Sequence, residues 1–299
     1  MKRFLFPVFL IAPSLCLLLP LSWPGFLLPP VLVLLLAWAV ASRGGPPFGL
    51  VVLGSLFVLA LCGTLIAPYG PHQVFASGEG HLLGLDVVGR DLYSRMLYGH
   101  RNTMVIAAAG SALGTLIGIC SGGVISLVER RGLRVTKIMF QVYLSVPPLL
   151  YFLLGLCFLK PGISTMIILL GITSWPELAR LLQAQVGYLR KADFALAARM
   201  RGMSEWRIFF SEIIPNLTHL VWAHFLITLA SSMIMESSLT YLGLGSPLGT
   251  PSLGRLLADG IQHIEERPSV FLIGISLFLG WIISLRAFIR RYGRAHEVL

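Results

Sequence analysis

Charge is what this sequence lacks most. Charged residues make up 12% of its 299 residues, hydrophobic residues 56%, and the mean hydropathy is +0.82. A water-soluble domain carries about a quarter of its residues as charges, so that class is excluded. Lysine is scarcer still. None of the four lysines follows a glycine, so there is no Gly-Lys-Ser/Thr loop to cradle nucleotide phosphates. The chain is therefore expected to hold no ATP site and no cofactor of its own. The four cysteines, Cys16, Cys62, Cys120 and Cys157, sit inside apolar runs without metal-ligand spacing. They read as buried small hydrophobes, and no metal site is expected. No Ser/His/Asp or other nucleophile–base set stands out, which speaks against an intramembrane enzyme. His219 and His224 are five apart and share a helix face poorly, so they read as packing or polar-network residues rather than metal ligands.

What is abundant is long apolar sequence. Runs of the ~20 residues that cross a bilayer recur along the chain. In lipid every backbone polar group must be satisfied internally, so such runs are helices. The fold class is an all-α polytopic membrane protein. Eight spans are expected. A hairpin of two Pro-rich runs covers 4–21 and 26–41, and no small-x-small cleavage site follows the first, so it reads as an uncleaved span. The others cover 50–67, 104–128, 138–159 (broken at Pro147-Pro148), 163–176, 217–235 and 270–285. Gly110, Gly114, Gly118 and Gly122 recur every four residues along one helix face, where another helix can approach closely.

The net charge of +10 lies in short basic clusters between these runs, the pattern of the positive-inside bias rather than of nucleic-acid binding. With the N-terminus in the cytoplasm, seventeen of the 23 basic residues fall on cytoplasmic segments. Both termini and the polar segment 177–216 are then cytoplasmic. Arg90, Arg95 and Arg101 oppose the rule locally, offset by Glu79, Asp86 and Asp91.

That polar segment is the most informative stretch. From Ala195 to Pro215 it carries Arg199, Arg201, Glu205, Arg207 and Glu212 between apolar runs. Gly202 and Pro215 divide it into two short helices. On a continuous helix Ala197, Ala198, Arg201, Gly202 and Glu205 share a face, and small side chains there favour close docking against a protein. A surface helix lying on the bilayer is the plainer alternative. Glu236, at the end of the seventh span, is costly in lipid and faces protein or water. It is either a gate or pathway contact, or a hydrogen-bond anchor for the loop 242–249.

Leu196-Ala197-Ala198, Gly202 and Pro215 stand in the register of the cytoplasmic "EAA" loop, which the segment resembles, of ATP-binding-cassette (ABC) importer permeases. Ala197-Ala-Arg199, Gly202-Met-Ser204, Arg207-Ile208 and Pro215-Asn216 are similar to the dipeptide/oligopeptide/nickel branch, in its C-type subunit. So are Asp86, Gly89-Arg-Asp91, Ser94-Arg95, Gly99, Arg101, Pro147-Pro-Leu-Leu150, Trp175, Ala179-Arg180, Glu236, Leu239, Leu242-Gly-Leu-Gly245, Ser252-Leu-Gly254, Gly280 and Leu285-Arg286. The chain departs from the pattern at Leu196, where the loop has Glu, at Ser211-Glu212, at Leu82 and Leu85, and at Trp281, where the branch often has Asp.

The resemblance implies a type I ABC importer transmembrane domain over 49–299, with six family helices, a coupling segment at 177–216 and an additional hairpin at 1–48. It implies a permease subunit in a bacterial inner membrane, carrying small peptides or, second, nickel chelates. The partners it implies are a second homologous permease, two ABC ATPases that hold ATP and Mg, a periplasmic or lipid-anchored substrate-binding protein, and membrane lipid, with no nucleic acid. Ala197, Ala198 and Gly202 would make close contact with the ATPase, and Arg199, Arg201 and Glu205 polar contacts. The competing class is an ion-coupled secondary transporter, which needs paired intramembrane acids or inverted repeats. Glu236 alone does not supply them.

Overall fold

A computed structural model describes residues 60, 64–78, 80–128, 133–245, 247, 249–265 and 268–296. The N-terminal hairpin expected over 4–41, and most of the third span, lie outside these residues. The described chain is helical, with two isolated antiparallel bridges, Val74↔Arg90 and Leu85↔Asp91. Its described residues divide into two compact units, those up to 106 with those from 233 on, and those between 107 and 232.

In the first unit a polar loop leads into α1 (Leu92–Val128). The Phe75 amide donates to the Gly89 carbonyl at 2.7 Å. Gly89 adopts φ +83°, and a Cβ there would lie 2.9 Å from the Phe75 carbonyl, so the turn requires glycine. Asp86 organises the loop. Its carboxylate accepts from the amides of Val88 (2.9 Å) and Arg90 (2.8 Å) and from the guanidiniums of Arg90 and Arg95. Burial raises its pKa, but the Arg90 amide and the two guanidiniums outweigh that and hold it below the usual carboxylate value. Arg95 also reaches Asp259 at 3.4 Å.

The α1 helix begins twelve residues before the apolar run does. The Asp91 carboxylate caps it by accepting from the Ser94 amide at 2.7 Å. Its polar first turns are buried by protein: Ser94, Arg95, His100 and Thr103 are all at most 1% exposed. Leu92, Tyr93, Met96 and Leu97 pack with Leu253, Leu256 and Val270. Those belong to the amphipathic α8 (Leu253–Gln262) and to α9 (Pro268–His296). Trp281 is buried on α9 and aims its indole N–H at the His100 ring, 3.3 Å away.

In the second unit the rest of α1 lies along α4 (Ile163–Leu189), with the glycine stripe between them. A Cβ on Gly110 would lie 2.5 Å from Leu170 Cβ. On Gly118 it would lie 3.0 Å from Leu178 Cβ, and on Gly122 3.0 Å from Leu182 Cβ. Gly114 faces Ser174 in the same register. The stripe is matched by every fourth residue of α4, which bears out the expected close approach.

Between them stand α2 (Leu133–Ser145) and α3 (Pro148–Phe158), bent by 80° across Val146-Pro147. This is the expected break of the fifth span. The sixth span, expected to lose its apolar character by Pro176, belongs to a helix that continues thirteen residues beyond it, to Leu189. Pro176 has no N–H to give the Ile172 carbonyl, and the Tyr143 hydroxyl donates to that oxygen at 3.2 Å. The seventh span is α7 (Thr218–Tyr241), which runs through Glu236 rather than ending before it. Among the described residues, three helices are long and apolar enough to cross a membrane (α1, α4 and α7), and the bent α2–α3 pair counts as a fourth. The apolar part of α9, Val270–Leu285, is shorter. Cys120 and Cys157 are exposed on helix faces rather than buried as expected.

Candidate functional site

The segment between α4 and α7 is a tight elbow. The Arg190 amide closes the end of α4 by donating to Val186. Then α5 (Asp193–Met200) starts with Asp193 in its first turn, where the helix dipole favours an acid. It stops at Gly202, φ +79°. The amide of Gly202 donates to Arg199 O (2.9 Å) and that of Met203 to Ala198 O (3.2 Å), the paired bonds of a glycine-terminated helix. Ser204 then caps α6 (Glu205–Ile208), its hydroxyl accepting from the Arg207 amide at 3.4 Å. A wide turn follows at Phe209–Ile213, with the Ile214 amide stepping back to Phe209 O, and the helical chain continues through Pro215 to Asn216.

One side of the elbow is core. Ala195, Ala198, Ile208, Phe209, Ile213 and Leu217 pack against Leu178, Leu182 and Val186 of α4. Phe209 fills the space that Gly123 of α1 leaves: a Cβ there would lie 2.7 Å from its ring. The other side is bare. Leu196, Met200, Trp206 and Phe210 are exposed, Met200 by 84%, and the Trp206 and Phe210 rings stack 6.1 Å apart.

A charge cluster locks the corner. Glu205 accepts from Arg199 Nε at 2.7 Å and Nη2 at 3.2 Å, and from Arg190 Nη2 at 2.9 Å. Arg199 Nη1 donates to the Arg190 carbonyl (2.8 Å), and Arg190 Nη1 to the Ser126 carbonyl of α1 (2.7 Å). The cluster joins the end of α1, the end of α4, α5 and α6. Hydrogen bonding from Arg199 is the main force holding the Glu205 carboxyl below its usual value, against partial burial. The same bond raises Arg199. With the Glu205 side chain 41% exposed, solvent screening limits each ion pair to about 1 kcal/mol or less.

The five elbow residues grouped on one helix face from the sequence, Ala197, Ala198, Arg201, Gly202 and Glu205, therefore do not share it. The helix ends before Arg201, so the periodicity that grouped them stops. Ala198 is fully buried in the chain's own core and Ala197 half-buried. Arg199 and Glu205 bond each other. Arg201 and Gly202 stand on the exposed side, Arg201 within 3.8 Å of Glu212. Arg190 went unrecognised, because a basic residue after a span looks like one more positive-inside charge. The exposed apolar residues Leu196, Met200, Trp206 and Phe210 were missed too, because composition does not say which side of a short helix faces outward.

Glu236 is fully buried. Its carboxylate accepts from Thr103 (2.9 Å), Thr240 (3.0 Å) and Ser237 (3.2 Å). The Thr103 hydroxyl in turn accepts from the Leu253 amide at 3.1 Å, which ties α1, α7 and the start of α8 together. Of the two sequence readings this geometry matches the anchor, although the element held is α8 rather than the loop 242–249. His224 sits in a polar network, 3.2 Å from the Thr228 hydroxyl and 3.9 Å from Glu177.

Residues 83–295 match the protein family described as "Binding-protein-dependent transport system inner membrane component". The dipeptide transport system permease protein DppC of Bacillus subtilis (strain 168) is 29% identical over 225 residues, 72% of this chain and 69% of that protein. The oligopeptide transport system permease protein OppC of the same organism is 32% identical over 193 residues, 64% of this chain and 62% of that one. The oligopeptide transport system permease protein AmiD of Streptococcus pneumoniae (strain ATCC BAA-255 / R6) is 27% identical over 212 residues, 70% and 67% of the two chains.

Proposed function

The chain belongs to the family of binding-protein-dependent transport system inner membrane components, and on that footing we propose that it is a pore-forming permease subunit of an ATP-driven importer of small peptides. The cargo reading rests on the relatives named as dipeptide and oligopeptide permeases. An ion-coupled secondary transporter finds no support in that membership. A second, homologous permease completes the pore. Two ABC ATPases bind ATP and Mg beneath it, and a periplasmic or lipid-anchored binding protein delivers the peptide. The elbow and both termini lie on the cytoplasmic side.

The observation that carries the coupling role is an elbow locked on one side and bare on the other. The ATPase takes the exposed surface of Leu196, Met200, Arg201 and Gly202. Closure of the two ATPases on ATP then displaces the elbow. The Arg190–Glu205–Arg199 cluster and Phe209 against Gly123 pass that displacement to α4 and α1 as a rigid movement.

Among the described residues nothing lies within 4 Å of a Cβ built on Gly202, but its φ of +79° strains any side chain, so a large substitution is read against a small one. Asn tolerates positive φ and stays small. In proteoliposomes holding the whole complex, Gly202→Asn keeps ATP-dependent uptake of a labelled tripeptide. Gly202→Trp abolishes uptake and ATPase co-purification while insertion is unchanged. Full uptake by Gly202→Trp would refute the docking assignment.

A further inference from the structure

We infer that the broken backbone between α2 and α3 lines the water-filled route of the peptide, an inference that rests on the transport reading above. The break is built by prolines. Pro147 and Pro148 have no N–H, so the carbonyls of Tyr143 and Leu144 lose their helical donors. On α4, Pro176 does the same to Ile172. Two tyrosines repair this in series. The Tyr151 hydroxyl donates to the Tyr143 carbonyl at 2.9 Å, and the Tyr143 hydroxyl to the Ile172 carbonyl at 3.2 Å. Their rings stack 4.6 Å apart at 10°, with Trp175 6.5 Å from Tyr143. The Leu144 carbonyl receives no such tyrosine.

Non-helical backbone at membrane depth is tolerated only where protein buries it or where it lines water. This chain does not bury it. Ser145, Pro147, Pro148, Leu149 and Leu150 are all exposed. So is Gln141, one turn before Ser145 on the same face. A lipid-facing surface would not carry a glutamine and a serine beside a carbonyl that has lost its helical donor. The chemistry suits a peptide main chain. A carbonyl short of a donor takes a peptide N–H, the Gln141 amide takes either partner, and the aromatic faces accept side chains of any type. Such a surface holds peptides without choosing among them.

The test places a cysteine at the break in the full complex, reconstituted in proteoliposomes, with the four native cysteines replaced. Ser145→Cys should react with a charged, membrane-impermeant methanethiosulfonate, and the modification should block tripeptide uptake. Saturating tripeptide should slow the reaction severalfold. Gln141→Cys, on the same face, should behave alike and serves if the first variant does not assemble. Tyr151→Phe, which leaves the Tyr143 carbonyl only the Val146 amide at 3.4 Å, should change the labelling rate at position 145 while assembly is retained.

Reaction only with a membrane-soluble maleimide would put the break in lipid and overturn the inference. Reaction only when the second permease is absent would make it a subunit interface, with the same consequence. Labelling that neither blocks uptake nor responds to peptide would place it in water but off the route. Failure of the cargo reading looks different: the unmodified complex then takes up no tripeptide, while labelling at 145 still reports whether the break faces water.

Discussion

The glycine stripe on α1 makes a prediction whose sign depends on place, with the chemistry held constant. An added methyl at Gly110 would stand 2.5 Å from Leu170 Cβ and 3.1 Å from its Cδ1. Carbon atoms settle at about 3.5–4.0 Å, so the helices must separate by roughly 1 Å or Leu170 must leave its rotamer. Either costs about 1–3 kcal/mol. Alanine's better helix propensity returns at most about 1 kcal/mol, so Gly110→Ala is net destabilising. Gly187, near the end of α4, has nothing within 4 Å of its Cβ position. Gly187→Ala therefore gains only the propensity term and stabilises by about 0.5–1 kcal/mol. Melting in detergent, followed by loss of the monodisperse peak, reads both. At about 2–4 °C per kcal/mol, Gly110→Ala should lower Tm by several degrees and Gly187→Ala should raise it slightly. Equal shifts of one sign would refute the packing of α1 on α4.

Thr103→Val removes a donor from the Glu236 carboxylate and an acceptor from the Leu253 amide. Each lost partner costs about 1–3 kcal/mol, so Tm should fall clearly, and Thr103→Ser should restore it. Glu205 has a folded pKa below its unfolded value. Its contribution is thus complete above the unfolded value and lost as pH falls through the folded one. Limited proteolysis between α5 and α6 should accelerate on acidification into that range, and Glu205→Gln should be fast at neutral pH and largely pH-independent. Trp281→Asp, which supplies the residue common in the branch, would bury a carboxylate beside His100 where the indole now packs. Lower Tm is expected, with Trp281→Phe the milder change.

The spans were legible because hydropathy and lipid obey the same rule: uncharged runs become helices. Their ends were not, because hydropathy cannot see a polar residue buried by protein. Helix α1 starts at Leu92 rather than Met104 because Asp91 caps it and neighbouring segments cover Arg95, His100 and Thr103. Helix α4 passes Pro176 because a tyrosine on another helix supplies the missing donor. Both extensions depend on residues distant in sequence, which a window along the chain does not include. The glycine stripe was legible for the opposite reason: its period is local, and only one helix face can carry it.

The elbow divides in the same way. Its break at Gly202 was readable, because glycine permits the positive φ the chain takes there, whereas the helical run from Glu205 passes Pro215 to Asn216. The roles of its side chains were not readable. Treating 197–205 as one helix grouped Ala198 with Arg201, yet Gly202 turns the chain at φ +79°, and one residue then points into the core while the other points out. Arg199 and Glu205, which looked like surface charges awaiting a partner, bond each other and Arg190 instead. That changes what a mutation at either residue means. A surface contact, once removed, weakens docking and leaves the elbow intact. A corner bond, once removed, loosens the elbow itself, so the ATPase would still bind while its movement no longer reached α1 and α4. ATP hydrolysis uncoupled from uptake in Arg199→Gln, with ATPase co-purification unchanged, is the signature of the second case. Loss of co-purification would return Arg199 to the docking surface.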